Sequence, residues 1–240
     1  MYINAFKFSS AGGRSYNEDS AEYRIEGENG IFVVADGLGG HSHGELASGI
    51  VCNTFMENWK PFEQERPGWI CSTANIANER ILAMQQEKNA KMKSTLTALA
   101  IDGNKAVWAH SGDSRIYYIH NGWIEAVTED HSVAYKKFKA GEISRNEISY
   151  DDDQSSLLRS LGGDTRFEPE IRVWDADLVS GDGFLLCSDG AWEYLRDGEI
   201  PIDMLKSHDA QEWAQLLVLR MMDRIVRDND NLTVMTVMLR

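Results

Sequence analysis

The residues best placed to do chemistry in this sequence are carboxylates that follow apolar segments. Asp36 comes after Phe32-Val33-Val34-Ala35, Asp189 comes after Leu185-Leu186-Cys187-Ser188, and each is followed by a glycine. An acid at the mouth of a buried strand is held by a rigid element and still faces a cleft, where it can bind a metal ion. A single Asp-Gly pair is more often only a turn. The metal-site prediction therefore depends on both pairs and on further acids.

Further acids lie in three other segments. Glu18 and Asp19 are adjacent near the N-terminus, Asp113 lies between two apolar segments, and Asp230 precedes the last one. Oxygen ligands without paired cysteine or histidine favour hard cations such as Mg²⁺ or Mn²⁺ over structural zinc. Two such ions about 3.5–4 Å apart can lower the pKa of a bridging water and clamp a phosphate for in-line attack. The acids thus predict metal-assisted phosphate chemistry without a covalent protein nucleophile.

Hydrophobic periodicity predicts the elements that carry these acids. A short β-branched run at 31–35 is typical of a buried strand. Amphipathic patterns predict helices at 44–59, 69–86 and 210–226. Further strands are predicted at 94–101, 105–110, 115–120, 123–127, 170–174, 183–187 and 232–239. Runs of strands separated by helical blocks favour a single α+β domain with antiparallel sheets.

Composition excludes several classes of protein. The chain has 240 residues and a formal net charge of -14, from 38 acidic and 24 basic residues, which argues against nucleic-acid binding. Three cysteines without a C-x-x-C pair argue against a disulfide framework or a zinc knuckle, and Cys187 is expected to be a buried thiol. We expect a cytoplasmic protein, because the sequence shows neither a secretory signal nor an apolar run long enough to span a membrane.

Eight segments together resemble those of the metal-dependent protein phosphatases, also called type 2C serine/threonine phosphatases, in their compact bacterial form. They are GRSYNEDS (13–20), VADGLGGH (34–41) with GE (44–45), STL (94–96), SGDSR (111–115), TEDHS (128–132), residues 158–162, CSDG (187–190) and DNLT (230–233). The segments occur in the family's order and span residues 13–237. The resemblance implies a four-layer αββα sandwich, with two central antiparallel β-sheets flanked by helix pairs. It also implies one catalytic domain over 1–240, with a flap insert at about 133–156.

The resemblance implies two core metal ions and the residues that hold them. Asp36 would bridge both ions, Asp189 and Asp230 would hold the first, and Glu18 would hold the second. The Gly37 carbonyl would be a direct ligand. The ions implied are Mn²⁺ or Mg²⁺, and a hydroxide bridging them would attack the phosphorus of phosphoserine or phosphothreonine.

Other positions carry supporting roles by the same resemblance. Asp19 would orient water in the metal cluster, and Asp113 together with Asp189 would hold a third, weaker ion. Arg14 would grip the phosphate, since a guanidinium can contact two of its oxygens. Asn231 would support the ligands from behind.

Two points stay open at this stage. Some family members have a histidine directly after the metal-bridging Asp-Gly, but that position is Leu38 here. His41 is one candidate for the general acid that protonates the leaving group, and a metal-bound water is the other. His131 is expected to be structural, fixing the start of the insert.

The implied partners are phosphorylated proteins, including those of a cognate bacterial serine/threonine kinase, and the expected state is a monomer without nucleic acid or membrane. Two rival interpretations are a binding module that has kept the fold and a phosphatase of small phosphate esters.

Overall fold

A computed structural model describes residues 1–39, 43–61, 66–164, 167–226 and 228–240. Within those ranges the strands are β1 (Ile3–Ser10), β2 (Asp19–Glu26), β3 (Asn29–Gly39), β4 (Met92–Ser94), β5 (Leu96–Asp102), β6 (Lys105–Ser111), β7 (Arg115–His120), β8 (Trp123–Val127), β9 (Glu170–Trp174), β10 (Gly183–Cys187) and β11 (Leu232–Leu239). The helices are α1 (Gly44–Asn58), α2 (Arg66–Lys88), α3 (Val133–Lys139), α4 (Asp189–Trp192), α5 (Glu199–Lys206) and α6 (Ala210–Arg224), with a 3-10 helix at Arg145–Tyr150.

The strands form two sheets in which neighbouring strands run antiparallel. One sheet has the order β2-β3-β5-β6-β9, with β4 paired to the end of β3. The other has the order β1-β11-β10-β7-β8. The predicted antiparallel α+β architecture is therefore confirmed.

Side-chain alternation along the central strands produces the layers. On β3, Ile31, Val33 and Ala35 pack toward α1 and α2, whereas Phe32 and Val34 face the gap between the sheets. Such alternation follows from the two-residue repeat of a strand. Strand β10 alternates in the same way between the gap and a cluster that includes α5 and α6. The result is the expected αββα sandwich. Among the helices of the described ranges, none is both long and apolar enough to cross a bilayer.

The predicted elements differ from the structure in a few places. The single strand predicted at 94–101 is divided at Thr95 into β4, which pairs with the end of β3, and β5, which pairs with its earlier part. Helix α2 is longer than predicted at both ends, and strands β1 and β2 and helix α5 were not predicted. Cys187 is buried, as expected.

The topology brings the acid-bearing ends of several strands to one edge of the sandwich. The start of β2 pairs with β3 so that Asp19 lies opposite Asp36, and the end of β10 pairs with the start of β11. Two hydrogen bonds join the sheets there, from Ser188 Oγ to Asp19 Oδ2 at 2.7 Å and from the Glu18 backbone N–H to Asn231 Oδ1 at 2.8 Å. The predicted site residues therefore belong to one region of the fold.

Candidate active site

A cavity of about 690 Å³ opens at this edge of the sandwich. It is lined by Arg14, Ser15, Tyr16, Glu18, Asp36, Gly37, Leu38, Gly39, Asp113, Ser155, Leu157, Asp189, Asp230 and Asn231. Eight of the ten predicted site residues are in this lining. Of the other two, Asp19 is buried behind the cavity, bonded to Ser188, and His41 lies outside the described residues.

Asp36 and Asp19 are placed by the β2–β3 pair. They are direct partners in the antiparallel register. Both occupy the alternate strand positions whose side chains face the gap between the sheets. The backbone N–H of Asp36 donates to Thr95 Oγ1 at 2.8 Å, which fixes the end of β3. A one-residue slip of either strand would turn its carboxylate to the opposite face, so the register itself builds this part of the site.

Asp189 follows the end of β10 and Asp230 precedes the start of β11, so both lie at the same end of that strand pair. Asp189 opens the short helix α4, and its Oδ1 accepts from the Gly190 N–H at 2.6 Å. Both oxygens of Asp230 accept from Arg14, through Nε at 3.2 Å and Nη2 at 2.9 Å. The Arg14 and Asp230 side chains are 58% and 45% exposed, so this ion pair is worth at most about 1 kcal/mol. Arg14 can therefore exchange Asp230 for a phosphate at little cost.

Glu18 and Gly37 meet where the chain enters helix α1. Glu18 Oε1 accepts from the Gly44 N–H at 3.0 Å, at the positive end of the helix dipole. The backbone N–H of Gly37 donates to the Glu18 carbonyl at 3.1 Å. A Cβ on Gly37 would lie only 2.1 Å from the Gly44 carbonyl oxygen, so this close approach requires glycine.

Asp113 lies in the turn between β6 and β7. Its backbone carbonyl accepts from Trp192 Nε1 at 2.8 Å, and the hydroxyl of the following Ser114 is 2.7 Å from that of Thr95. Below this turn, Arg115 makes a bidentate pair with Asp130 at 2.8 and 2.7 Å. The carboxylate of Asp113 therefore stands on a backbone that is held from several sides.

Asn231 organises the loop that carries Arg14. Its Oδ1 accepts from the Glu18 N–H, and its Nδ2 donates to the carbonyls of Ala11 and Tyr16, both at 2.9 Å. One side chain therefore fixes the start, middle and end of the 11–18 segment. These hydrogen bonds are the contacts expected of a residue that holds the predicted metal-binding residues in place.

Burial and neighbouring negative charges raise the pKa values of the carboxylates in and behind the cavity. Burial raises the pKa of Asp19 to about 7, against hydrogen bonds from Thr233 and Ser188 that lower it. The pKa values of Asp36 and Asp113 lie well above the usual range, first because of burial and then through neighbouring negative charges, Asp189 among them. Burial, and then the charge of Asp230, raise the pKa of Asp189. Several acids in a half-closed cavity thus favour either bound protons or bound cations.

The donor set fits hard divalent cations. Carboxylates and one backbone carbonyl are available in the cavity, and the lining residues that the structure describes include no sulfur and no imidazole. Asp19 Oδ1 is buried and has no hydrogen-bond partner among the described residues, which is unfavourable unless a cation or its bound water satisfies it. The raised pKa values of these acids point the same way, because a bound cation would favour the ionised carboxylates against both their burial and their mutual repulsion.

Sequence reasoning missed Glu193 and Gln154. Glu193 lies one helical turn after Asp189, and burial followed by the charges of Asp189 and Asp230 raises its pKa to about 8. Gln154 Nε2, from the insert, donates to Glu193 Oε1 and to Asp189 Oδ2, the latter at 3.4 Å. The four-residue spacing from Asp189 could have indicated Glu193. Nothing in the local sequence indicates Gln154, because its contact depends on how the insert folds back.

Comparison with known proteins shows which family the chain resembles. A family model described as protein phosphatase 2C matches residues 10–227. The serine/threonine phosphatase stp of Listeria welshimeri is 31% identical over 202 residues, covering 81% of this chain and 79% of its own.

Two solved structures extend the likeness to the fold. The serine/threonine phosphatase of S. agalactiae superposes with a TM-score of 0.87 at 26% identity, with full coverage of both chains. The catalytic domain of the phosphatase PstP, solved with two manganese ions, superposes with a TM-score of 0.83 at 27% identity, covering 98% of this chain and 97% of that one.

Proposed function

The chain belongs to the protein phosphatase 2C family, and we propose that the acidic cavity is where it hydrolyses phosphoserine and phosphothreonine. As a family member it is a metal-dependent protein serine/threonine phosphatase. The observation that carries the assignment of the site is the convergence of Glu18, four aspartates and one arginine on a single cavity.

Two core cations, Mn²⁺ or Mg²⁺, fit this cavity, and a third, weaker one fits beside Asp113. When bound, the cations would activate a water as the nucleophile and neutralise charge on the phosphate. Asp36 would be a ligand of both core ions, Asp189 and Asp230 would hold the first, and Glu18 would hold the second. The Gly37 carbonyl would complete the set, and Asp113 with Asp189 would hold the third ion.

The remaining residues act on the substrate and on the ligands. Arg14 would bind two phosphate oxygens through its guanidinium, having released Asp230. Asp19 would accept a hydrogen bond from water at the back of the cavity. Asn231 would keep Glu18 and the Arg14 loop in place, since it bonds to both ends of that segment.

Phosphorylated proteins are the substrates, and we propose that they include targets of a cognate serine/threonine kinase. Tyr16, which is 64% exposed, and Leu157 of the chain just after the flap both line the cavity and could contact a polypeptide on either side of the phosphate. We also propose a cytoplasmic location and a monomeric state without nucleic-acid partners; the net charge of -14 supports the last two points. The segment at 133–156 would act as the flap of one domain spanning 1–240.

Phosphate release from a phosphothreonine peptide tests the site, with and without Mn²⁺, for wild type, Asp36→Asn and Asp223→Asn. Asp223 is an exposed acid on α6, so its variant controls for a change of charge alone. We expect turnover only with metal, and a loss of several kcal/mol in transition-state stabilisation for Asp36→Asn alone. Equal activity of Asp36→Asn and wild type would refute the assigned site. Faster hydrolysis of small phosphate esters than of phosphopeptides would instead favour a metabolite phosphatase.

A further inference from the structure

A cluster of His110, His131 and Glu170 lies next to the Asp113 turn and has no role in the proposed chemistry. The two imidazole rings stack with centroids 4.7 Å apart, and His131 Nε2 lies 3.2 Å from Glu170 Oε2. His110 is only 1% exposed, and within the described part of the chain neither of its ring nitrogens has a partner in hydrogen-bond geometry. Nitrogen and oxygen atoms of the three residues lie within 4.8 Å of one another, close enough for a metal ion to be considered.

The hydrogen bonds of His131 argue for a positioning network here instead of a metal site. The backbone N–H of Gly112 donates to His131 Nδ1 at 3.2 Å, so Nδ1 keeps its lone pair. Burial lowers the pKa of His131, which favours the neutral ring, and that ring then carries its proton on Nε2 and donates it to Glu170. A metal-binding histidine has the reverse arrangement, with one nitrogen on the ion and the other donating to a protein acceptor.

His131 holds Gly112 by its backbone as well. The His131 N–H donates to the Gly112 carbonyl at 2.7 Å, so the two residues exchange two hydrogen bonds. Gly112 has a φ of +107°, and a Cβ at this position would lie 2.7 Å from Thr95 Cγ2. Gly112 is thus confined between His131 and Thr95, and Asp113 is the next residue.

On its other side, His131 is joined to the chain that follows the flap. Its carbonyl accepts from the Leu158 N–H at 2.7 Å, and the neighbouring Ser132 pairs with Leu157 in an isolated β-bridge. Leu157 lines the cavity. His131 therefore lies between two parts of the cavity wall, the Asp113 turn and the Leu157 segment.

We propose that His131 is a positioning residue that fixes the Asp113 turn through its Nδ1 and connects that turn to the end of the flap. The inference rests on the proposed function, in which Asp113 holds the third cation. Loss of the bond from Gly112 to Nδ1 lets the turn move, and the affinity for the weakest cation falls.

Two substitutions at His131 separate its two ring contacts. His131→Asn puts an amide oxygen where Nδ1 stands, so it keeps an acceptor for Gly112 and loses the contact with Glu170. His131→Gln puts its amide near Nε2, so it keeps the Glu170 contact and loses the acceptor for Gly112. Mn²⁺ binding, followed by the electron paramagnetic resonance of free Mn²⁺, should weaken for the weakest class of sites in His131→Gln on the order of 10-fold. His131→Asn should retain the wild-type affinity.

An Asp113→Ala background shows whether the effect passes through Asp113. There, His131→Gln should cause no further loss of Mn²⁺ binding, because residues that act as one unit are not additive. The inference is overturned if the two His131 variants weaken Mn²⁺ binding equally, or if the His131→Gln effect persists without Asp113. If Asp113→Ala alone leaves Mn²⁺ binding unchanged, the fault lies in the proposed function, and the inference falls with it.

Discussion

Replacing Asp130 by alanine should strip the charge partner from a buried arginine. The side chains of Arg115 and Asp130 are 7% and 0% exposed, and they share two hydrogen bonds at 2.8 and 2.7 Å. After the substitution, the guanidinium would keep Tyr117 Oη at 3.2 Å and the Trp192 ring at 3.5 Å. Neither replaces a carboxylate as a counter-charge.

The size of the loss can be estimated from these contacts. Breaking a buried ion pair by removing one partner costs about 3–5 kcal/mol of unfolding free energy. The Trp192 ring still attracts the cation, by up to about 2 kcal/mol for a desolvated pair, so we expect the lower end, about 3 kcal/mol. For a domain of this size, each kcal/mol lowers Tm by about 2–4 °C, which gives about 6–12 °C.

Urea unfolding followed by tryptophan fluorescence, in EDTA, measures this loss. Glu129→Ala is the matched control, because Glu129 precedes Asp130 in the chain but makes a solvent-exposed ion pair with Lys139, and such pairs contribute little to stability. A double variant, Arg115→Met with Asp130→Leu, should regain much of the stability by removing both charges. The reasoning is refuted if Asp130→Ala destabilises the protein no more than Glu129→Ala does.

Three further predictions concern the cavity. Arg14→Ala should lower kcat/KM for a phosphopeptide about 10- to 100-fold, as expected for a lost charged hydrogen bond, with little change in Tm; an unchanged kcat/KM would contradict phosphate binding by Arg14. The pKa values of Asp19 and Glu193 are raised to about 7 and 8 in the folded protein, so the stability that these groups contribute to the metal-free protein should be lost as pH rises from about 4 through those values. The stabilisation by Mn²⁺ should therefore grow from pH 5 to pH 7.5. It is measured as the difference in unfolding free energy with and without Mn²⁺, and a constant difference would contradict the prediction. Gly37→Ala should destabilise the protein by about 1–3 kcal/mol or more and abolish activity, because the added Cβ would collide with the Gly44 backbone. Gly198→Ala is the control, since no described atom lies within 4 Å of its added Cβ, and it should be neutral in the same unfolding and activity assays.

Central strands could be predicted from the sequence because burial on both faces makes them apolar. The strand at 31–35 lies within β3, and the predicted strand at 232–239 has the same bounds as β11. Two of the edge strands, β1 and β2, could not, although the edge strands β8 and β9 were predicted with the bounds that the structure has. β1 and β2 each end a sheet and are partly exposed, so their polar residues, as in Asp19–Glu26, hide the alternation.

The acids of the cavity were predictable because a short segment contains each of them with its glycine or asparagine neighbours. The contacts that hold them were not, since they join segments far apart in the chain. Trp192 donates to the Asp113 carbonyl, and Asn231 bonds to the loop before β2. Gln154 approaches Asp189 only because the insert folds back over the cavity. Such pairings depend on topology, which hydrophobic periodicity does not report.

The position of β11 also determines the order in which this protein can be assembled during synthesis. β1 lies at the edge of its sheet, and β11 is the strand to which it hydrogen-bonds there, so among the described strands β1 has no partner in that sheet until the residues of β11 have left the ribosome. Asp230 and Asn231, just before β11, emerge at the same late stage. A nascent chain with Arg14 and Glu18 already made therefore lacks both the carboxylate and the amide that complete the cavity. If the cavity is the active site, we expect hydrolysis to begin only when β11 has been inserted.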